Sequence, residues 1–327
     1  MKADRNLPSE AEVLSWFDRL SNWRRWGADD QLGTLNLITP GARRTAAALV
    51  VEGVTVSCAW DISTAPQVGD HFGSPQRHML MTGEGLADEH RVVPPHPVPG
   101  VDMSRAAGAI EYFGCVFHGI NITHIDALSH VFWDRKSYNG KPAELVNAMF
   151  GATNLAVTGL RDGILTRGVL IDVPALRGVD WLEPGDPVFP EDLEAAEKLE
   201  GVRVSTGDVL LLRTGYARQK RERGPVPPQN GQAGWHAACL PWLHERGVAA
   251  IGCDTAQDVV PSGYSQVALP IHSVGIVAMG LCLLDACDLE ALAATCATLH
   301  RWEFCFTVAP LRIEGGTGSP VNPLASF

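Results

Sequence analysis

Short β-favouring runs alternate with segments of helical character along the 327-residue chain. "RGVLIDV", "GDVLLLRTGYA" and "VAAIGCD" each predict a strand, and the acidic segment 190–200 between the first two predicts a helix. Further helices are predicted at 9–26, 40–51, 235–246 and 288–298, a helix or a strand pair at 273–284, strand pairs at 108–127, and a closing strand in "WEFCFTVAPLRI". This mixture indicates an α/β or α+β fold, in one domain over 1–327.

Composition narrows the class of protein. Hydrophobic residues make up 46% of the chain and charged residues 19%, as in globular proteins. No apolar run approaches the roughly 18 residues that span a bilayer, and the polar amino terminus does not resemble a signal peptide, so we expect a cytoplasmic protein. The net charge of −11 argues against nucleic acid as a partner.

Two further features concern loops and cysteines. Residues 66–105 are rich in Pro, Gly and His and predict a long loop that acts as an arm or lid, with His71, His78 and several methionines able to line a pocket. A surface loop is the other interpretation. The eight cysteines contain no CxxC pair, so we expect them to be reduced and structural.

The run "HGINITHIDALSH", from His118 to His130, places four polar, ionisable groups among residues that suit a buried strand. Because side chains alternate along a strand, His124 and Asp126 share a face and can hold one ion. His118 would lie roughly 20 Å from His124 on a straight strand, at about 3.3 Å per residue, so it joins the same ion only if the chain bends. A turn after the strand could return His130 to the site.

Imidazole and carboxylate ligands suit zinc, manganese or iron(II), and the lack of thiolates argues against a closed structural zinc site. An ion with open positions generates a nucleophilic hydroxide from bound water, and a free histidine can move protons beside it. A histidine in a strand is, however, often structural, and HxxxxxHxDxxxH is no standard ligand motif. Other catalytic motifs are missing: there is no GxSxG, and "GGTGSP" lacks the P-loop lysine. We expect "GGTGSP" to be a turn, which could close over the site.

"THIDALSH" resembles the signature of the cyclase-like metal-dependent hydrolases, a family that includes bacterial kynurenine formamidase, isatin hydrolase and trans-dienelactone hydrolase. Five other stretches agree with the family from about residue 22 to 327: "NWRRWGADDQLGTLNLITP", the "GILTRGVLIDV" and "GDVLLLRTGYA" strands, "LPIHSVGIVAMGLCLLDACDLEALA" and "APLRIEGGTGSPVNPLASF". The resemblance implies a swivelling β/β/α domain, with a central mixed β-barrel-like sheet flanked by helices. It also implies a homodimer or homotetramer whose arms are exchanged between subunits.

The resemblance assigns roles to individual residues. It implies His124 and Asp126 as metal ligands, completed by His272 and Asp285, and His130 as the catalytic proton donor and acceptor. The family's first histidine ligand falls on Ile120 here, so His118 is the candidate replacement if the chain bends. The implied cofactor is a divalent ion, Mn²⁺ or Zn²⁺.

We therefore expect a metal-dependent hydrolase that opens a small cyclic amide or lactone, or cleaves an aryl formamide, with metal-bound water as nucleophile. A cyclase or dehydratase that uses the same ion without net hydrolysis is the second expectation. A non-catalytic relative that binds a metal or ligand is the third. The sequence does not identify the small-molecule substrate.

Overall fold

The computed structural model describes residues 7–70, 72–84, 99–100 and 108–327. Its helices are α1 (Glu10–Arg19), α2 (Pro40–Ala47), α3 (Val173–Arg177), α4 (Pro190–Glu200), α5 (Tyr216–Arg223), α6 (Cys239–Arg246), a π-helix (Ile271–Met279) and α7 (Glu290–Leu299). Short 3₁₀ turns occupy Gly33–Leu37, Tyr138–Gly140, Ala143–Leu145, Val157–Leu160 and Pro228–Asn230.

The strands are β1 (Thr55–Ser57), β2 (Gln76–Met81), β3 (Ile110–Gly114), β4 (His124–Asp126), β5 (Val146–Asn147), β6 (Gly151–Ala152), β7 (Ile164–Asp172), β8 (Pro187–Val188), β9 (Val209–Arg213), β10 (Gly234–Trp235), β11 (Ala250–Cys253), β12 (Cys282–Asp285), β13 (Glu303–Val308), β14 (Gly318–Pro320) and β15 (Leu324–Ser326).

Nine of these strands form one mixed sheet in the order β1-β15-β13-β7-β9-β11-β12-β4-β14. The strands β7, β9, β11 and β12 run parallel at its centre, and antiparallel strands extend it on both sides. The sheet curls into a half-barrel flanked by helices, which confirms the predicted α/β class and the barrel-like mixed sheet.

The central strands are buried because their side chains are apolar on both faces. Every residue of β9 is buried, and so are the five consecutive residues of β7 from Gly168 to Asp172. Such continuous apolar runs are typical of parallel strands covered on both sides. The π-helix is apolar except at His272 and Ser273 and almost wholly buried, as expected of a helix inside a core.

Some local predictions were wrong. Only His124–Asp126 of the central motif is a strand; residues 117–123 are irregular, and the other strand of the 108–127 region, β3, pairs with β2 away from the motif. The 66–105 region contains β2 rather than loop alone. The strand β13 is not the last strand of the sheet. After it the chain turns within "GGTGSP", forms β14 and then forms β15.

Half of the predicted arm or lid lies outside the described residues, as does His71, so the arm or lid stays a prediction. His78 stacks on Tyr112, with ring centroids 6.0 Å apart, and does not line the main cavity. Within the described residues, we find no helix whose length and hydrophobicity would let it cross a membrane. All eight cysteines are free, as predicted, and all but the partly buried Cys115 are buried.

Candidate metal centre

The register of β4 against β12 defines the first part of the site. His124 and Asp126 point to the same face because they are two residues apart in a strand. Asp285 of β12 lies directly opposite His124, so its side chain joins that face. The three side chains are buried, and one ligand atom from each lies within 4.8 Å of the others. His124 Nε2 is 3.5 Å from Asp126 Oδ1.

A bend in the chain returns His118 to the same carboxylate. The backbone of the following residue, Gly119, has φ of +154°, in a region that favours glycine. His118 Nδ1 consequently lies 3.0 Å from Asp126 Oδ1. A second glycine permits this approach: a Cβ on Gly318 would stand 2.8 Å from His118 Cε1 and 2.6 Å from the carbonyl oxygen of Ile125. The chain therefore bends between His118 and His124, as the sequence analysis required for His118 to join the site.

His272 reaches the centre from the first turn of the π-helix. Its Nε2 lies 3.3 Å from Asp285 Oδ2 and 3.7 Å from Asp126 Oδ2. Its Nδ1 is 2.6 Å from Oδ2 of the fully buried Asp258. Burial alone would lower the pKa of His272, but the carboxylates of Asp285 and Asp258 raise it well above its usual range. Positive charge is thus favoured at this point of the site.

His130 approaches from the other side, at the end of a turn closed by a hydrogen bond from its backbone N–H to Ala127 O. Its Nε2 lies 3.9 Å from Asp126 Oδ2, and its ring stacks on His118 with centroids 3.9 Å apart and an interplanar angle of 3°. Burial lowers the pKa of His130 to about 4, although Asp126 opposes that effect. The ring is accordingly neutral near pH 7 and able to accept a proton.

Asp126 is the common neighbour of the four histidines. Its side chain is buried, and neither carboxylate oxygen accepts a hydrogen bond of normal geometry from the described residues, although His118 Nδ1 lies 3.0 Å from Oδ1. Burial alone would raise its pKa, but contact with His118 and the charges of His130, His124 and His272 hold the pKa well below its usual range. Burying a carboxylate costs several kcal/mol unless the charge is paired or coordinates a metal. The donor set therefore fits a divalent cation.

Three supporting residues were missed by the sequence predictions. Asp258 holds His272, Gln257 Nε2 donates to Asp285 Oδ1 at 2.9 Å, and the hydroxyl of Thr317 lies 3.2 Å from His118 Nε2. Gln257 and Asp258 come shortly after the predicted strand "VAAIGCD". Polar residues directly after a buried strand were the available indication that these two side chains belong to the site. Thr317, just before β14, lies in the "GGTGSP" segment, whose predicted turn over the site was the available indication.

A cavity of about 480 Å³ opens beside the cluster. His118, His124, His130, His272 and Asp285 form one end of it. The structure thus brings together all six residues proposed from the sequence, and Asp126 lies behind the five that face the cavity.

Comparison with known proteins gives the same family. Residues 60–257 match the family model described as "Putative cyclase". A crystal structure described as a novel cyclase is 31% identical, covers 95% of this chain and 99% of its own, and superposes with a TM-score of 0.82. The chain therefore belongs to the cyclase family, as the sequence motifs predicted.

More distant structures share the fold. Isatin hydrolase A from Labrenzia aggregata is 18% identical and covers 89% of this chain and 98% of its own, with a TM-score of 0.57. Isatin hydrolase A from Ralstonia solanacearum is 20% identical and covers 88% and 97%, also with a TM-score of 0.57. No curated protein matches the sequence.

Proposed function

We propose that this protein is a hydrolase that depends on a divalent metal ion and acts on an amide, lactone or ester bond. The observation that carries the proposal is the carboxylate of Asp126, which is buried, accepts no hydrogen bond of normal geometry from the described residues and is surrounded by the ring nitrogens of four histidines. Membership of the cyclase family and the fold shared with isatin hydrolases support it.

The histidine tautomers favour metal binding. His124 Nδ1 is 2.8 Å from the carbonyl oxygen of Ile122, and His272 Nδ1 is 2.6 Å from Asp258. A nitrogen that donates its proton to such an oxygen leaves the other ring nitrogen as the metal ligand, the usual arrangement for a metal-binding histidine. At His272 the ion would replace the proton that the raised pKa otherwise keeps on Nε2. In both residues that other nitrogen, Nε2, faces Asp126.

The ligands in this proposal are His124, Asp126, His272 and Asp285, with His118 replacing the ligand missing at Ile120. Nitrogen and carboxylate donors without thiolates suit Mn²⁺ or Zn²⁺. When bound, such an ion with open coordination positions makes water a better nucleophile and polarises a carbonyl oxygen. Asp126 remains ionised for this role because the surrounding histidines lower its pKa.

His130 is the proposed proton shuttle. It lines the cavity, its ring is neutral because burial lowers its pKa to about 4, and its orientation is fixed by stacking on His118. A neutral imidazole accepts a proton from the attacking water and returns it to the leaving nitrogen or oxygen.

Metal removal tests the proposal. Dialysis against a chelator should abolish hydrolysis of a panel of lactones, cyclic imides and N-formyl aryl amines, and Mn²⁺ or Zn²⁺ should restore it. For any substrate found, reaction in ¹⁸O-labelled water should place one label in the product. Full activity of metal-free protein would contradict the metal dependence, and product without the label would indicate a cyclase or dehydratase instead.

A further inference from the structure

The size of the cavity beside the metal centre limits what can fill it. At about 480 Å³ it is roughly three times the ~150 Å³ cavity that encloses one benzene molecule. Pockets of this size enclose most of a ligand with several rings. A single small ring held at the metal centre would leave much of the apolar wall in contact with water.

The wall away from the metal centre is apolar. It is formed largely by the side chains of Ile120, Val131, Leu182, Val226, Val260 and Leu269. Among the described residues that line the cavity, none is lysine, arginine or glutamate, and the one carboxylate is Asp285 of the metal cluster. The wall that the described residues form therefore offers an anionic group no counter-ion.

Three polar residues of the wall already donate to the protein. Thr214 Oγ1 donates to Asp254 at 2.7 Å, Thr255 Oγ1 to Ala233 O at 3.0 Å, and Gln232 Nε2 to the carbonyl oxygens of Ala256 and Asp258 at 2.9 and 2.6 Å. Because these three donors are occupied, they do not compensate a charged ligand for its lost hydration. Tyr216 also lines the cavity, and its buried hydroxyl has no hydrogen-bond partner among the described residues, but a neutral hydroxyl supplies no counter-charge. Burying an uncompensated anion is far more costly than burying an apolar group.

A nearby cation, Lys220, does not change this conclusion. Its neighbour Gln219 lines the cavity, but Lys220 does not. Its ammonium group donates to Asn121 Oδ1 at 3.2 Å and lies 4.8 Å from the ring centroid of Trp60. These contacts hold the charge outside the wall.

We propose that the substrate is a neutral, predominantly apolar molecule with at least two ring-sized groups, and that the cavity excludes molecules that carry a carboxylate, sulfonate or phosphate on the part remote from the metal. This inference rests on the proposed function, since it places the reacting bond at the metal end of the cavity. Substrates are selected by how well their apolar part fits the wall, and anionic ones are excluded because the described residues of the wall include no counter-ion.

Three matched probes test it by calorimetric binding to the manganese-loaded full chain: biphenyl-4-carboxamide, the same molecule with a 4′-sulfonate, and benzamide. A sulfonate is chosen because it is a weak ligand for divalent ions. Biphenyl-4-carboxamide should bind at least tenfold more tightly than either of the others. Equal affinity of the sulfonated probe, or of benzamide, would overturn the proposal.

A substitution in the wall tests whether the wall is what rejects the anionic probe. Leu269 lines the cavity and is 41% exposed, so Leu269→Arg can place a cation at the wall with little cost in stability. It should bind the sulfonated probe at least threefold more tightly than the unmodified chain does. The control Leu199→Arg, on the exposed side of α4, should leave all three affinities unchanged. If folded Leu269→Arg binds the sulfonated probe no more tightly than the unmodified chain, the apolar wall is not what excludes anionic groups.

Binding is measured without turnover, so the two proposals fail separately. Probe selectivity without any metal-dependent hydrolysis would refute the proposed function alone. Hydrolysis combined with indifference to probe size and charge would refute the substrate class alone.

Discussion

The Nδ1 atom of His272 lies 2.6 Å from Oδ2 of Asp258, and both residues are buried. Neither belongs to β4 or β12, the strands that supply His124, Asp126 and Asp285. The same carboxylate accepts the backbone N–H of Ile271 at 2.7 Å through Oδ1. Asp258 thus fixes both the ring of His272 and the beginning of the helix that carries it. The pair orients Nε2 towards Asp126 and Asp285.

Asp258→Asn should weaken metal binding about 10- to 100-fold, the usual effect of removing a carboxylate that supports a histidine ligand. Metal affinity is measured by competition with a chromophoric chelator, on folded protein. The control is Asp254→Asn, which alters another fully buried aspartate whose partners are Thr214, Gly215 and Tyr216. It should lower the melting temperature and leave metal affinity near normal. Unchanged affinity in Asp258→Asn would show that His272 is not a ligand or needs no support.

His124→Ala and Asp126→Ala should be metal-poor and inactive, because the remaining groups hold the ion too weakly against water. Metal content by elemental analysis, melting temperature and turnover are measured together. Full metal content in either variant would remove that residue from the ligand set.

His130→Ala should keep near-normal metal content and lose about 10²–10⁴-fold in turnover, as expected for a general acid and base. A purely structural role predicts a lower melting temperature with normal turnover in the folded fraction. If the variant is folded, metal-loaded and fully active, another group moves the proton.

Glu200→Gln tests a buried carboxyl group remote from the proposed site. Glu200 accepts the backbone N–H of Asp172 at 2.9 Å, its other oxygen has no hydrogen-bond partner among the described residues, and burial raises its pKa to about 8. The folded state therefore binds the proton more tightly than the unfolded state, whose pKa is near 4.5. The free energy of unfolding should fall as pH rises from about 4.5 to 8, by ~1.4 kcal/mol for each unit of pKa difference at most.

Urea unfolding at about pH 5 and pH 8.5 measures this effect. The stability of Glu200→Gln relative to the unmodified chain should increase with pH, whereas the exposed Glu194→Gln on the same helix should show no such trend. A constant difference across the range would contradict the raised pKa.

Thiol reagents should modify Cys115 first and leave hydrolysis intact. Burial raises the pKa of Cys58 and of Cys282 to about 12, so the reactive thiolate is scarce at both, whereas Cys115 is only partly buried. Mass spectrometry of folded protein treated with iodoacetamide identifies the modified residue. Complete inactivation without loss of metal would argue for a catalytic thiol.

The sequence by itself determined the features that depend on local periodicity. The apolar runs of β7, β9 and β11 predict strands, because residues buried on both faces of a parallel sheet leave continuous hydrophobic segments. The two-residue spacing of His124 and Asp126 places both on one face of a strand, whatever the rest of the chain does. Family motifs added His272, Asp285 and His130 as candidates by resemblance.

Only the tertiary structure decided which distant groups meet. Asp285 faces His124 because β12 pairs with β4 in one particular register, and a shift of one residue would turn its side chain to the other face. His118 reaches Asp126 because the chain bends at Gly119 and because Gly318 leaves room beside it. The support of His272 by Asp258 depends on where the π-helix packs. Local sequence patterns report which face a side chain occupies, whereas these contacts depend on register and packing between segments far apart in the chain.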